Sequence, residues 1–80
     1  MSRARDVVEV VARALATRPE EVQVVETERR GQTVIELTMA PGDLGRVIGR
    51  QGRTATALRT LASTAGELDG VRTVVDFRDE

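Results

Sequence analysis

Gly49-Arg50-Gln51-Gly52 is the segment best equipped to engage a partner. Glycine has no Cβ, so a G-x-x-G segment turns sharply and lets a ligand press against bare main chain. A helix that starts just after such a turn aims its unpaired amides, and the positive end of its dipole, outwards. Arg46, Arg50 and Arg53 surround the segment, and residues 44–59 carry no acid at all. A phosphate or a sugar-phosphate backbone fits that combination. Val47, Ile48 and Leu58 are placed to offer an aliphatic floor where bases can lie. By itself G-x-x-G is also an ordinary turn between two helices, so the surroundings decide.

Other chemistries are poorly served. The 80 residues include no histidine and no cysteine. The usual general base near neutral pH is therefore missing, and a zinc site would need carboxylates alone. Asp43, Asp69 and Asp76 are scattered, and Ser63 has no evident base. Gly45, Gly49 and Gly52 do not spell a dinucleotide fingerprint, and a phosphate-loop motif needs the lysine this chain lacks. No enzyme activity, metal or cofactor is expected. With 12 basic and 13 acidic residues the net charge is −1. Such a chain does not coat nucleic acid indiscriminately; its basic character is local. No apolar run approaches the roughly 18–20 residues of a membrane span. The opening MSRARDVVEV lacks the apolar core of a secretory signal, so a cytoplasmic protein with no membrane insertion is expected.

The elements that position the loop follow from periodicity. Residues 3–16 read as a helix with Val7, Val8, Val11, Ala14 and Leu15 on one face; Ser2 caps its start and Pro19 limits its end. Residues 21–28 and 33–39 alternate as two strands of a hairpin, with Ile35, Leu37 and Met39 on the buried side. The Arg29-Arg30 pair at the hairpin turn is a solvated tip that can touch phosphate if nucleic acid runs nearby. A short helix over 42–48 leads into the loop at 49–52. A second helix, 53–68, places Ala55, Leu58, Leu61, Ala62, Ala65 and Leu68 on one face. A strand over 71–77 follows, with Arg78-Asp79-Glu80 as a tail. The result is one α+β domain over 1–80, in the order α-β-β-α-α-β.

Residues 43–53, DLGRVIGRQGR, resemble the core of a KH domain, V-I-G-x-x-G, and the element order resembles the type II arrangement. Thr17–Val22, Ala40–Gly45 and Ala57–Thr60 are further similar to the KhpA family of small bacterial RNA-binding proteins. The resemblance implies a type II KH fold, a three-stranded mixed sheet packed by three helices on one face. It also implies a groove for about four nucleotides of single-stranded RNA, or of single-stranded DNA. Gly49 and Gly52 would give close approach, Arg50 and Gln51 would face phosphates with Arg46 and Arg53 beside them, and Ile48 and Val47 would form the hydrophobic junction. The strand 33–39 and the loop 28–32 would be the opposite wall. A KhpB-type KH protein as partner, a homodimer, RNA chaperoning, and roles in cell shape and envelope growth are implied in the same way. Gln51 supplies no charge, Ala55 and Thr54 stand where relatives often carry aliphatic residues, and no aromatic ring lies near the loop for base stacking. These departures point to a second expectation: a KH-fold dimerisation or protein-interaction module with little intrinsic RNA affinity.

Overall fold

In the computed structural model, which describes residues 2–79, the elements are α1 (Arg3–Leu15), β1 (Gln23–Arg29), β2 (Gln32–Met39), α2 (Leu44–Ile48), α3 (Arg53–Leu68) and β3 (Arg72–Asp79). Ser2 caps α1, its Oγ accepting from the Arg5 amide at 3.1 Å. Pro19–Glu21 forms a tight 3-10 turn, with the Val22 amide bonded to the Pro19 carbonyl at 3.1 Å. That turn delays β1 to Gln23. Gly42 at φ +89 is incompatible with a helix, so α2 starts only at Leu44 rather than at 42.

The sheet is mixed. β2 lies in the centre, antiparallel to β1 and parallel to β3. β3 runs on through Arg78, which the pattern assigned to a tail; its guanidinium bridges Glu36 at 2.9 Å and Asp76 at 3.1 Å. Glu80 lies outside the described residues.

One face of the sheet carries the helices. Ile35, Leu37 and Met39 are fully buried beneath them, as alternation required. α1 contributes Ala4, Val8 and Ala12, and α3 contributes Ala55, Leu58, Ala62 and Ala65. The alanines let the two helices approach closely, and that geometry corrects the expected stripes. Ala14 is exposed rather than inward. Leu61 and Leu68 are 53% and 69% exposed, because they sit on the flank of α3 instead of its base.

The other face is open. Register partners share a face, so Arg29, Gln32 and Arg72 form one row across it, and Thr27, Val34 and Val74 the next. The β1–β2 connection is the two-residue loop Arg30-Gly31, with φ of 51° and 81°. That is the type I′ pattern, whose twist matches a hairpin.

Candidate nucleic-acid interface

Between α2 and α3 the main chain makes an abrupt reversal. Gly49 takes φ 73°, ψ 178°, a region essentially reserved for glycine. Gln51 (φ 58°, ψ 23°) and Gly52 (φ 70°, ψ 15°) are both left-handed. The Gly49 amide closes α2 on the Gly45 carbonyl at 2.9 Å, and the Gly52 amide bonds the Gly49 carbonyl at 3.2 Å. A Cβ on Gly49 would lie 2.5 Å from Thr54 Oγ1, so α3 packs directly on this glycine. At Gly52 a Cβ would meet nothing within 4 Å, so the main chain there faces the outside. No side chain caps α3 at its N-terminus.

The cations are available. Among the described residues, no carboxylate pairs with Arg46, Arg50, Arg53 or Arg59. Arg50 is exposed at the loop tip. Arg53 donates to Gln51 Oε1 at 3.1 Å, which holds the two side chains together beside Arg50. Arg46 stands apart, its Nε donating to the Leu15 carbonyl at 2.9 Å and so closing the end of α1. Ile48 is 37% exposed, whereas Val47 and Leu58 are buried. The expected aliphatic floor therefore reduces to Ile48 at the surface, with Val47 and Leu58 supporting it from below.

A buried carboxylate fixes the approach to the loop. Asp43 is only 3% exposed and precedes α2. Its oxygens accept from Thr17 Oγ1 at 2.7 Å and from the Thr17 and Arg18 amides at 3.1 Å each. The Thr17 hydroxyl bond lowers its pKa most; burial opposes, and the two amides and the Arg18 charge add to the lowering. Arg18 in turn donates to the Pro41 carbonyl at 3.2 Å. The end of α1 and the start of α2 thus form one polar clamp, which sequence patterning did not reveal because its members are 26 residues apart.

One turn into α3 from the loop, a groove of about 490 Å³ opens between α3 and β3. Thr56, Arg59, Thr60, Ser63 and Glu67 line the helix side; Thr73, Val74 and Val75 line the strand side. The Arg59 guanidinium lies 4.7 Å from the centre of the Phe77 ring, a cation–π contact that holds it across the groove. This wall corrects the expectation placed on residues 28–39. β2 is central and flanked on both sides, so the free edge beneath α3 belongs to β3. Hydroxyls recurring on one flank of α3 were the available signal, but a solvated helix face reads the same way.

No helix among the described residues is long and apolar enough to cross a membrane. None of them forms a group of three or more His, Cys, Asp or Glu side chains able to hold a metal ion.

Comparison with known proteins bears on the same stretch. The family described as "KhpA/KhpB, KH domain" matches residues 5–77. A curated relative from Aquifex aeolicus, "RNA-binding protein KhpA", is 43% identical over 77 residues, covering 96% of this chain and 98% of its own. The protein of the same name from Clostridium acetobutylicum is 40% identical over 73 residues, covering 91% and 97%. That from Mycobacterium tuberculosis is 53% identical over 62 residues, 76% of each chain.

Proposed function

Because the chain belongs to the KhpA/KhpB family of KH domains, we propose that it binds single-stranded RNA, with the Gly49–Gly52 loop against the sugar-phosphate backbone. It is a type II KH fold and not an enzyme. The observation that carries the RNA reading is the loop itself: open main chain at Gly52, an uncapped helix start, and an exposed Arg50 that pairs with no carboxylate among the described residues. Arg50 and Arg53 supply charge, Gln51 a hydrogen-bond donor, and Gly49 and Gly52 the close approach. Arg46 takes a supporting part, since its Nε already serves Leu15. Val47 and Ile48 form the apolar junction, and single-stranded DNA, which carries the same phosphate backbone, is an alternative ligand.

Without a ring for stacking, affinity rests on hydrogen bonds, aliphatic contact and phosphate charge. With about three arginines engaged, the log–log salt slope is expected near 2 in magnitude, at roughly 0.7 per phosphate. Arg50→Asp with Gln51→Asp is the test. Binding of a short single-stranded RNA should fall at least about tenfold while circular dichroism and Tm stay unchanged. Unaltered binding by this variant excludes the loop as the clamp.

A second reading concerns protein contacts. Leu61 and Leu68 are exposed on α3, and Val10 is 68% exposed on α1, which packs beside it. These side chains support a homodimer. A KhpB-type KH protein as partner is carried by the family resemblance alone. Action as an RNA chaperone in the cytoplasm, with effects on cell shape and envelope growth, follows from the same resemblance. An interaction module with little RNA affinity is the alternative, and the loop variant separates the two: only the RNA reading makes the loop matter.

A further inference from the structure

We propose that Arg30 at the β1–β2 turn and Arg72 at the start of β3 form a second phosphate contact, which extends the RNA footprint beyond the groove and around the edge of β3. This rests on the RNA reading above. The groove gives the direction. Arg59 of α3 lies over Phe77, while Gly66 lies against Thr73, so helix and strand run antiparallel. A strand clamped at the loop and laid along the groove therefore travels toward the beginning of β3. At 1.5 Å per residue, Glu67 is about 21 Å along α3 from Arg53. There the groove ends, between Glu67 and Thr73.

What comes next is basic. The residue before Thr73 is Arg72, which shares the open face of the sheet with Val74. Val74 also lines the groove, so the groove bends around the β3 edge onto the face where Arg72 sits. Gln32 pairs with Arg72 on one side and Arg29 on the other, which puts the hairpin tip about 10 Å from Arg72, two strand spacings away. Glu67 repels phosphate and accepts hydrogen bonds from base amines, which keeps the backbone on the arginine side.

Two further observations single out these arginines. The side chains of Arg30 and Arg72 pair with no carboxylate among the described residues. The acids of the open face are occupied elsewhere: Arg78 holds Glu36 and Asp76, and Arg29 reaches Glu36 at 3.8 Å. Arg30 also has φ 51°. A type I′ turn favours asparagine or glycine there, so an arginine is conformationally costly at this exposed tip.

The variant Arg30→Asn with Arg72→Gln tests the proposal, because asparagine suits the left-handed turn and protects the fold. Wild type, this variant and the Arg50→Asp, Gln51→Asp loop variant are titrated with a four-nucleotide and a twelve-nucleotide RNA of mixed sequence at several salt concentrations. The salt slope is the deciding readout, since a longer strand also gains affinity from its extra registers. The tip variant should lose about fivefold in affinity for the long RNA, and its slope should drop by about 1.4, two contacts at roughly 0.7 each. Its affinity for the short RNA and its Tm should not fall. Equal slopes for the two RNAs on wild type, or an equal loss on both by the tip variant, overturns the proposal. Short-RNA binding indifferent to the loop variant instead overturns the RNA reading, whatever the tip does. If wild type binds neither RNA, both fall together.

Discussion

α3 presents two unlike flanks to its surroundings. Toward β3 it shows Thr56, Arg59, Thr60, Ser63 and Glu67; away from the groove it shows Leu61 and Leu68, more than half exposed. Between them runs the buried stripe of Ala55, Leu58, Ala62 and Ala65. At 100° per residue, the leucines lie about 60–80° to one side of Leu58, and Arg59 and Ser63 about 100–140° to the other. The narrow, alanine-rich stripe is the physical origin of the difference. It lets α3 sit so close to its neighbours that both flanks remain at the surface. A hydroxyl-bearing flank with a fixed guanidinium can satisfy a ligand rich in donors and acceptors. A leucine flank cannot, but covering it removes apolar area from water at about 25 cal/mol per Å². One helix thus separates a polar, hydroxyl-bearing surface from an apolar one.

The largest effect is expected from breaking the groove side. Gly66 is buried in α3, and a Cβ there would overlap Thr73 Oγ1, lie 2.9 Å from Thr73 Cβ and 3.2 Å from the Val71 carbonyl. Alanine improves helix propensity by about 1 kcal/mol. Overpacking costs about 1–3 kcal/mol in general; here backbone and β-branched strand atoms rather than a flexible side-chain tip must move, so the upper part of that range, about 2–3 kcal/mol, applies. Gly66→Ala should therefore destabilise by about 1–2 kcal/mol net in urea unfolding. RNA affinity should fall with it, while the leucine flank, and any association through it, should be unaffected. A Gly66→Ala protein as stable as wild type would show that α3 and β3 are not tightly apposed.

The two flanks also differ in how far they could be read from sequence. Alternation located Ile35, Leu37 and Met39 in the core, because a strand has only two faces and both neighbours were strands or turns. The extent of α3, 53–68, was equally legible, since Gly52 and Gly70 bracket it. The burial of Leu61 and Leu68 was misjudged because periodicity gives a direction but not the width of the buried stripe; that width depends on how close α1 approaches. The Gly49–Gly52 loop was legible because its geometry is local. The β3 wall was not, since whether a strand ends up central or at an edge is decided by pairing between segments some 40 residues apart. The Asp43 clamp escaped for the same reason.

A smaller effect on the monomer is expected from the apolar side. Leu61→Gln with Leu68→Gln removes exposed leucines that carry little of the core. Monomer stability should change by no more than about 0.5 kcal/mol per site, as for surface substitutions generally. The informative quantity is Tm against protein concentration, which rises for an associating wild type and should become flat in the variant. Binding of four-nucleotide RNA should be untouched. A variant that loses RNA binding while remaining dimeric would erase the division between the flanks.

The smallest expected effect sharpens the comparison through pH. The leucine flank presents aliphatic side chains, whereas the approach to the loop depends on Asp43, which ties the start of α2 to Thr17 and Arg18. The Thr17 hydroxyl bond, aided by the Arg18 and Thr17 amides, holds its carboxyl below the ordinary value of 3.8 despite its burial. A carboxyl with a depressed folded-state pKa contributes stability that is fully present above the unfolded value, near 3.8, and is lost as pH falls through the lower folded value. From pH 5 to 8 the contribution is therefore constant, and acid removes it. Asp43→Asn lacks the charge at every pH, so the stability gap between wild type and variant should hold steady above about pH 5 and narrow below about pH 4. The Thr17 and Arg18 amides should become more exchangeable over the same acid range, since they lose a charged acceptor. A gap that stays constant down to pH 2 would mean that Asp43 holds the start of α2 by shape alone, and the approach to the loop would then be as insensitive to acid as the leucines.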